Sequence, residues 1–192
     1  MSWQWLWVGL GNPGPPYQFT RHNFGFLVLE YWAKEKGLSF RKAPFAAEWA
    51  FLGREIALLK PLTFMNLSGT AVACCLQELG LPQERLLLIH DDLDLPLGRI
   101  RFAPKGGSGG HRGVQSVIDA LGTKDFPRLR LGIGRPPQGV SVRDFVLSPF
   151  TEEEWPLVKK VIFWASSGLE TLRTQGLQKT MSLFNRPLPE KI

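Results

Sequence analysis

The chain has 192 residues, 44% of them hydrophobic, enough to hold a core without disulfides or metal. No apolar run approaches the ~20 residues of a membrane span, and Met1–Gly9 lacks the positive start of a signal peptide, which argues against a membrane-spanning helix and makes the cytosol the default expectation. The formal charge of +6 is not spread evenly: residues 97–150 hold nine Lys/Arg against three Asp/Glu, while the flanking stretches nearly balance.

Residues 3–9 (WQWLWVG) predict a buried strand ended by a turn. The segment 9–20 is a Gly/Pro loop. An amphipathic helix is expected from about His22 to Lys36, with Gly37 as its C′ residue. Short strands fit 48–52 and 55–59, and a helix fits 68–79, stopped by Gly80 and Pro82. Residues 86–90 (LLLIH) predict a second fully buried strand running into Asp91, Asp92 and Asp94. Residues 99–102 fit an edge strand, 106–110 (GGSGG) a mobile or tightly turned loop, and a short helix then reaches Leu121. A buried strand is expected at 129–133, a long helix at 151–174 opened by a Thr151/Glu154 capping box, and a last helix at 177–184. Strands alternating with helices predict an α/β fold, one domain over 1–192, with a central mixed, largely parallel twisted sheet flanked by helices. Residues 187–192 are expected to form a flexible tail. Ligands of such sheets bind beyond the carboxyl ends of the strands. If the strands at 3–9 and 86–90 are parallel neighbours, Asn12, His22 and Asp91 converge there.

Several motifs admit two readings. Gly9-Leu-Gly-Asn-Pro-Gly14 fits G-x-G-x-x-G, but Pro15 and Pro16 remove N–H groups that a pyrophosphate would need. Gly106-Gly-Ser-Gly-Gly110 fits G-x-S-x-G, but no apolar strand precedes Ser108 and no His follows His111. The three His and the adjacent Cys74 and Cys75 lack metal-ligand spacing. A cluster of His90, Asp91, Asp92 and Asp94 is set against by strand alternation, and His90 reads better as a core histidine. The paired cysteines suit a reducing compartment. His22 is either a general base, with a strand-end carboxylate such as Asp91 behind it, or a polar residue at a helix start. Of the four Asn residues, Asn12, Asn23 and Asn66 lie beside these motifs, for substrate recognition or for Asx turns. The basic segment is either an RNA-binding surface or a solvated one.

The ordered set VGLGNPG (8–14), Tyr17, TRHN (20–23), KPLTFMNLSG (60–69), IHDDLDLPLG (89–98), GGSGGHRG (106–113) and LRLGIG (129–134) resembles the bacterial peptidyl-tRNA hydrolase family over nearly the whole chain. The resemblance implies a monomeric, cytoplasmic, metal-free and cofactor-free enzyme that hydrolyses the ester joining a peptide to the 3′-terminal ribose of tRNA. It implies His22 as base, Asp91 as its support, and Asn12 and Asn66 as recognition groups, Asn12 helping to tell a blocked amine from a free one. Tyr17, Phe64, Met65 and His111 match cleft positions. Arg101, Lys105 and Arg130 fall at or near tRNA-contacting ones. Arg112 departs from the family, which commonly has Asn there. Arg is longer, always charged and has no acceptor; a phosphate or a peptide carbonyl is the contact expected of it. Two rival functions remain open from sequence: a catalytically silent RNA-binding relative, and an esterase for small molecules.

Overall fold

β1 (Trp5–Gly9) is apolar on both faces because helices cover both sides of the sheet: Trp7 points into one core, Leu6 and Val8 into the other. The computed structural model describes residues 3–190. After β1 come α1 (Phe24–Glu35), β2 (Arg41–Lys42), β3 (Ala47–Leu52), β4 (Ile56–Pro61), α2 (Ser68–Leu79) and β5 (Leu86–Asp92). The chain continues through β6 (Ile100–Ala103), α3 (Arg112–Leu121), β7 (Arg128–Gly132), α4 (Val142–Val146), α5 (Trp155–Gln175) and α6 (Leu177–Phe184). The sheet order is β2-β3-β4-β1-β5-β7-β6. The central four strands are parallel; β2, β3 and β6 are antiparallel additions at the two edges. The expected α/β fold with a mixed, largely parallel sheet is therefore observed.

Local chemistry explains most element ends. Gly37 and Gly80 adopt φ of 67° and 63°, the left-handed conformation expected after α1 and α2. Thr151 and Glu154 exchange the two capping-box bonds, although regular α5 begins only at Trp155, with Pro156 in its first turn. Differences are also local. The helix expected from His22 is split into a 3-10 turn, Arg21–Asn23, and α1. β5 runs two residues past the apolar stretch, so Asp91 and Asp92 are strand residues. β2 and α4 were not expected; they span two and five residues, too short for periodicity to register. In the expected tail, Leu188 packs on the core; residues 191–192 lie outside the described residues.

One contact fixes where α1 starts. Gly9 and Gly25 face each other so closely that a Cβ on Gly9 would lie 2.6 Å from the Gly25 carbonyl oxygen. A Cβ on Gly25 would lie 2.3 Å from the oxygen of Ile89. Only two hydrogens allow the first turn of α1 to sit on the carboxyl ends of β1 and β5. That seating brings the Arg21–Asn23 turn to the rim of the sheet.

Candidate active site

β1 and β5 are parallel neighbours, Gly9 opposite Ile89, so the segments that follow them leave the sheet at the same rim. β1 also has β4 on its other side, which makes this the point where the strand order reverses. A cleft of about 510 Å³ opens there. Its floor is formed by Asn12, His22, Met65, His90, Asp91 and His111. Its walls are Tyr17, Phe64 and Asn66, then Asp92 and Leu93, then Ser108–Gly110 and Arg112, and finally Val142, Arg143, Val146 and Leu147.

His22 is held through its neighbours. Arg21, 5% exposed, donates to Ser148 Oγ (2.7 Å), to the Pro149 carbonyl (2.6 Å) and to Glu154 (2.7 Å). Its guanidinium also lies 4.5 Å from the Phe145 ring centre. Asn23 accepts from the Asn12 backbone N–H (2.8 Å) and donates to the Asn12 carbonyl (3.0 Å). The Asn12 side-chain oxygen in turn accepts from the Met65 N–H (2.8 Å), which leaves the Asn12 amide NH₂ to the cleft. Three loops are thus tied together at one asparagine.

Asp91 sits between two imidazoles. His22 Nδ1 lies 2.9 Å from one carboxylate oxygen and His111 Nε2 lies 2.8 Å from the other. Burial alone would raise the Asp91 carboxyl. The charges and hydrogen bonds of His22 and His111 outweigh it and hold the group well below the ordinary carboxylate range. An ionised carboxylate only accepts, so both rings must present N–H groups to it. For His22 that places the proton on Nδ1 and leaves the Nε2 lone pair available. His111 has the opposite tautomer. Its Nδ1 caps α3 by accepting from the Gly113 and Val114 N–H groups (3.1 and 3.3 Å), so its proton is on Nε2.

These three residues are also the group best spaced for a cation, with ligand atoms within 4.8 Å of one another. The α3 cap works against that use. Ligation through His111 Nε2 would move its proton to Nδ1, against two backbone N–H groups. The donor set therefore suits a hydrogen-bonded triad better than a metal.

His90 is 3% exposed and donates Nδ1–H to the Asp91 carbonyl (2.8 Å). Burial, and then the charge of His111, push its imidazole down to about 3, so it is neutral at physiological pH. Asp92, on the next residue, faces the Arg130 guanidinium at 2.6 Å. Its burial would raise it, but Arg130 and the Asp94 N–H hold it below the usual range. Asp94 pairs with Arg135.

Arg101, Lys105 and Arg130 are not among the cleft-lining residues. Arg101 and Arg130 are directly opposed on β6 and β7, at the sheet edge beside the cleft. Arg128, 2% exposed, has another position altogether. It donates to the Gly107 carbonyl (2.9 Å) and the Lys124 carbonyl (3.2 Å), with its guanidinium 4.6 Å from the Phe126 ring centre. Burial and the nearby Arg130 push its guanidinium down to about 10, still charged at neutral pH. It fastens the root of the Gly-rich loop.

Sequence reasoning missed the α4 wall, the role of Arg21 and Asn23 as fasteners, and the second histidine on Asp91. Ser141 and Asp144 did carry a signal for α4: the Ser141 hydroxyl accepts from the Asp144 N–H (3.0 Å) as an N-cap. Nothing in the sequence announced that His111 would turn back onto Asp91.

The arrangement is an α/β sheet with a histidine–carboxylate cleft at its carboxyl edge, and comparison with known proteins agrees. The family model for peptidyl-tRNA hydrolase matches residues 6–191. A peptidyl-tRNA hydrolase of Carboxydothermus hydrogenoformans is 47% identical over 182 residues, covering 93% of this chain and 97% of its relative. One from Trichlorobacter lovleyi is 48% identical, covering 93% of each. The crystal structure of peptidyl-tRNA hydrolase from Acinetobacter baumannii superposes with a TM-score of 0.90 at 34% identity over 96% of each chain. The chain belongs to the peptidyl-tRNA hydrolase family, and thereby to the hydrolases of ester bonds.

Proposed function

We propose that this protein hydrolyses the ester between a peptide, or an N-blocked aminoacyl group, and the 3′-terminal ribose of tRNA, returning tRNA from stalled or dropped-off peptidyl-tRNA. The observation that carries the mechanism is the His22 Nδ1–Asp91 bond, which leaves Nε2 as a lone pair facing the cleft. Nε2 takes a proton from a water molecule as that water attacks the ester carbonyl. Asp91 keeps the ring in this tautomer and stabilises the imidazolium that forms. Asn66, or a backbone N–H, stabilises the oxyanion, and the free NH₂ of Asn12 recognises the acyl amide. The acyl group lies against Tyr17 and Phe64 on the wall and Met65 on the floor, with His111 and Arg112 also lining its site. Collapse of the tetrahedral intermediate expels the ribose oxygen, which recovers the proton from His22.

Arg101, Lys105 and Arg130 contact tRNA phosphates, so affinity falls as salt rises. Because Arg130 shares its charge with Asp92, it contributes less than the other two. The reaction requires no metal and no cofactor, and the working unit is a monomer. Among the described residues no helix is long and apolar enough to cross a membrane. Cys74 and Cys75 are free, which suits a cytoplasmic enzyme.

The test is cleavage of N-blocked aminoacyl-tRNA in the presence of chelator, with His22→Ala as control. Wild-type protein should cleave it, and the variant should be slower by on the order of 10²–10⁴-fold. A variant as fast as wild type would remove His22 from the mechanism.

A further inference from the structure

Arg112 and Arg143 line the cleft, and both are exposed. Three other arginines near the site are paired: Arg21 with Glu154, Arg130 with Asp92, Arg135 with Asp94. The side chains of Arg112 and Arg143 make no hydrogen bond or ion pair with any described residue. Helix stability does not account for Arg112 either. It is the first residue of α3, at the positive end of the helix dipole, with no acidic residue in that turn.

The carboxylates of the cleft are engaged. Asp91 is shared by His22 and His111, Asp92 is met by Arg130, and His90 is neutral. The 3-10 turn packed against α3, Met65–Leu67, has no charged residue, and Asp119 further along α3 accepts from Gln115. Arg112 and Arg143 are thus the cleft-lining cations left without a carboxylate partner among the described residues.

The α-nitrogen of an aminoacyl ester is two bonds from the carbonyl carbon that water must attack. Its place is therefore close to His22, whose ring centre is 4.8 Å from that of His111, the residue before Arg112. We propose that Arg112, assisted by Arg143, is a specificity-determining residue. Its charge disfavours acyl groups that carry a free α-ammonium and spares those whose α-nitrogen is a neutral amide. The proposal rests on the reading of this cleft as the ester-binding site. It gives the enzyme a charge-based selection on top of hydrogen bonding by Asn12.

The test measures kcat/KM on N-acetyl-aminoacyl-tRNA and on the same aminoacyl-tRNA unblocked, for wild type, Arg112→Lys, Arg112→Asn and Arg112→Glu. Both substrates are measured on one preparation, so any unfolded fraction cancels in the ratio. At pH 6.5 the blocked-to-free ratio should stay high in wild type and Arg112→Lys. It should fall about 5–10-fold in Arg112→Asn, the size expected for unit charges roughly 7 Å apart at an effective dielectric of about 40, and further in Arg112→Glu. The wild-type ratio should decline as the α-amine loses its proton, near pH 7.7–8.0 for an ordinary α-amino group (about that range in peptides). An unchanged ratio in Arg112→Asn and Arg112→Glu would overturn the proposal. Equal weakening on both substrates, with a shallower salt dependence, would make Arg112 a phosphate ligand instead. If wild type cleaved neither substrate, the reading of the cleft itself would fall.

Discussion

The floor and the rim of the cleft are built on opposite principles. On the floor, Asn12, His22, His90 and Asp91 are all at most 9% exposed, and each is hydrogen-bonded to protein. On the rim, Phe64 is 59% exposed, Asn66 and Arg112 are exposed, and α4 is five residues long. A group that must hold a lone pair on target needs its alternatives removed, and burial with directed hydrogen bonds does that. A surface that must accept many peptides needs area and charge but little fixed geometry. Changes on the floor should therefore act on turnover, and changes on the rim on substrate preference.

The sharpest way to break this contrast is Asp91→Asn. The amide keeps the shape but presents an NH₂ to one of two ring N–H groups, which forces a tautomer change. Turnover of blocked aminoacyl-tRNA should drop by about 10²–10⁴-fold, with KM nearly constant. A large KM effect with kcat preserved would mean that Asp91 binds substrate instead of orienting His22.

His90 tests whether the floor is also a stability element. Its folded pKa, about 3, lies below the ordinary value of 6.5. Between those values the unfolded chain binds the proton and the folded one does not, so stability is complete above pH 6.5 and declines as pH falls towards 3. The loss should be on the order of a few kcal/mol, read as a lower urea midpoint at pH 4.5 than at pH 7. In His90→Asn the difference between the two pH values should shrink. Asp91 and Asp92, with depressed values, add a further loss only below about pH 4.

Asn23→Ala removes both bonds to the Asn12 backbone. It should cost about 1–3 kcal/mol of stability and lower turnover, although Asn23 does not line the cleft. The smallest effect is expected at the rim. Phe64→Ala should raise KM by a few-fold for substrates with apolar acyl groups, leave kcat nearly unchanged, and leave the thermal midpoint within about a degree or two, as for other exposed positions.

Legibility followed the same division. Apolar runs located β1, β5 and β7, and the inference that Asn12, His22 and Asp91 converge followed from two strands being neighbours, which they are. Helix ends were legible where glycine or a capping box wrote them, as at Gly37, Gly80 and Thr151. The sequence was silent on contacts that depend on how a side chain turns back. His111 caps a helix locally with one nitrogen, through Gly113 and Val114, and with the other reaches Asp91, which only the fold brings near. Arg128 and Arg130 stand two residues apart on the same face of β7, yet one is a buried strut gripping the Gly107 carbonyl and the other pairs with Asp92, a difference set by what packs against each position rather than by strand alternation. Arg143 was visible only as one more basic residue until α4 put it on the cleft wall.

The Gly-rich loop invites an expectation of slackness that its anchoring contradicts. Arg128 grips the Gly107 carbonyl at one end, and at the other the His111 N–H bonds to the Ser108 carbonyl while the His111 ring reaches Asp91. Mechanically this is a short lever whose pivot is an imidazole. An outward swing of the loop must stretch the His111–Asp91 bond or unwind the first turn of α3, so opening the mouth of the cleft and loosening the carboxylate beneath His22 are a single movement.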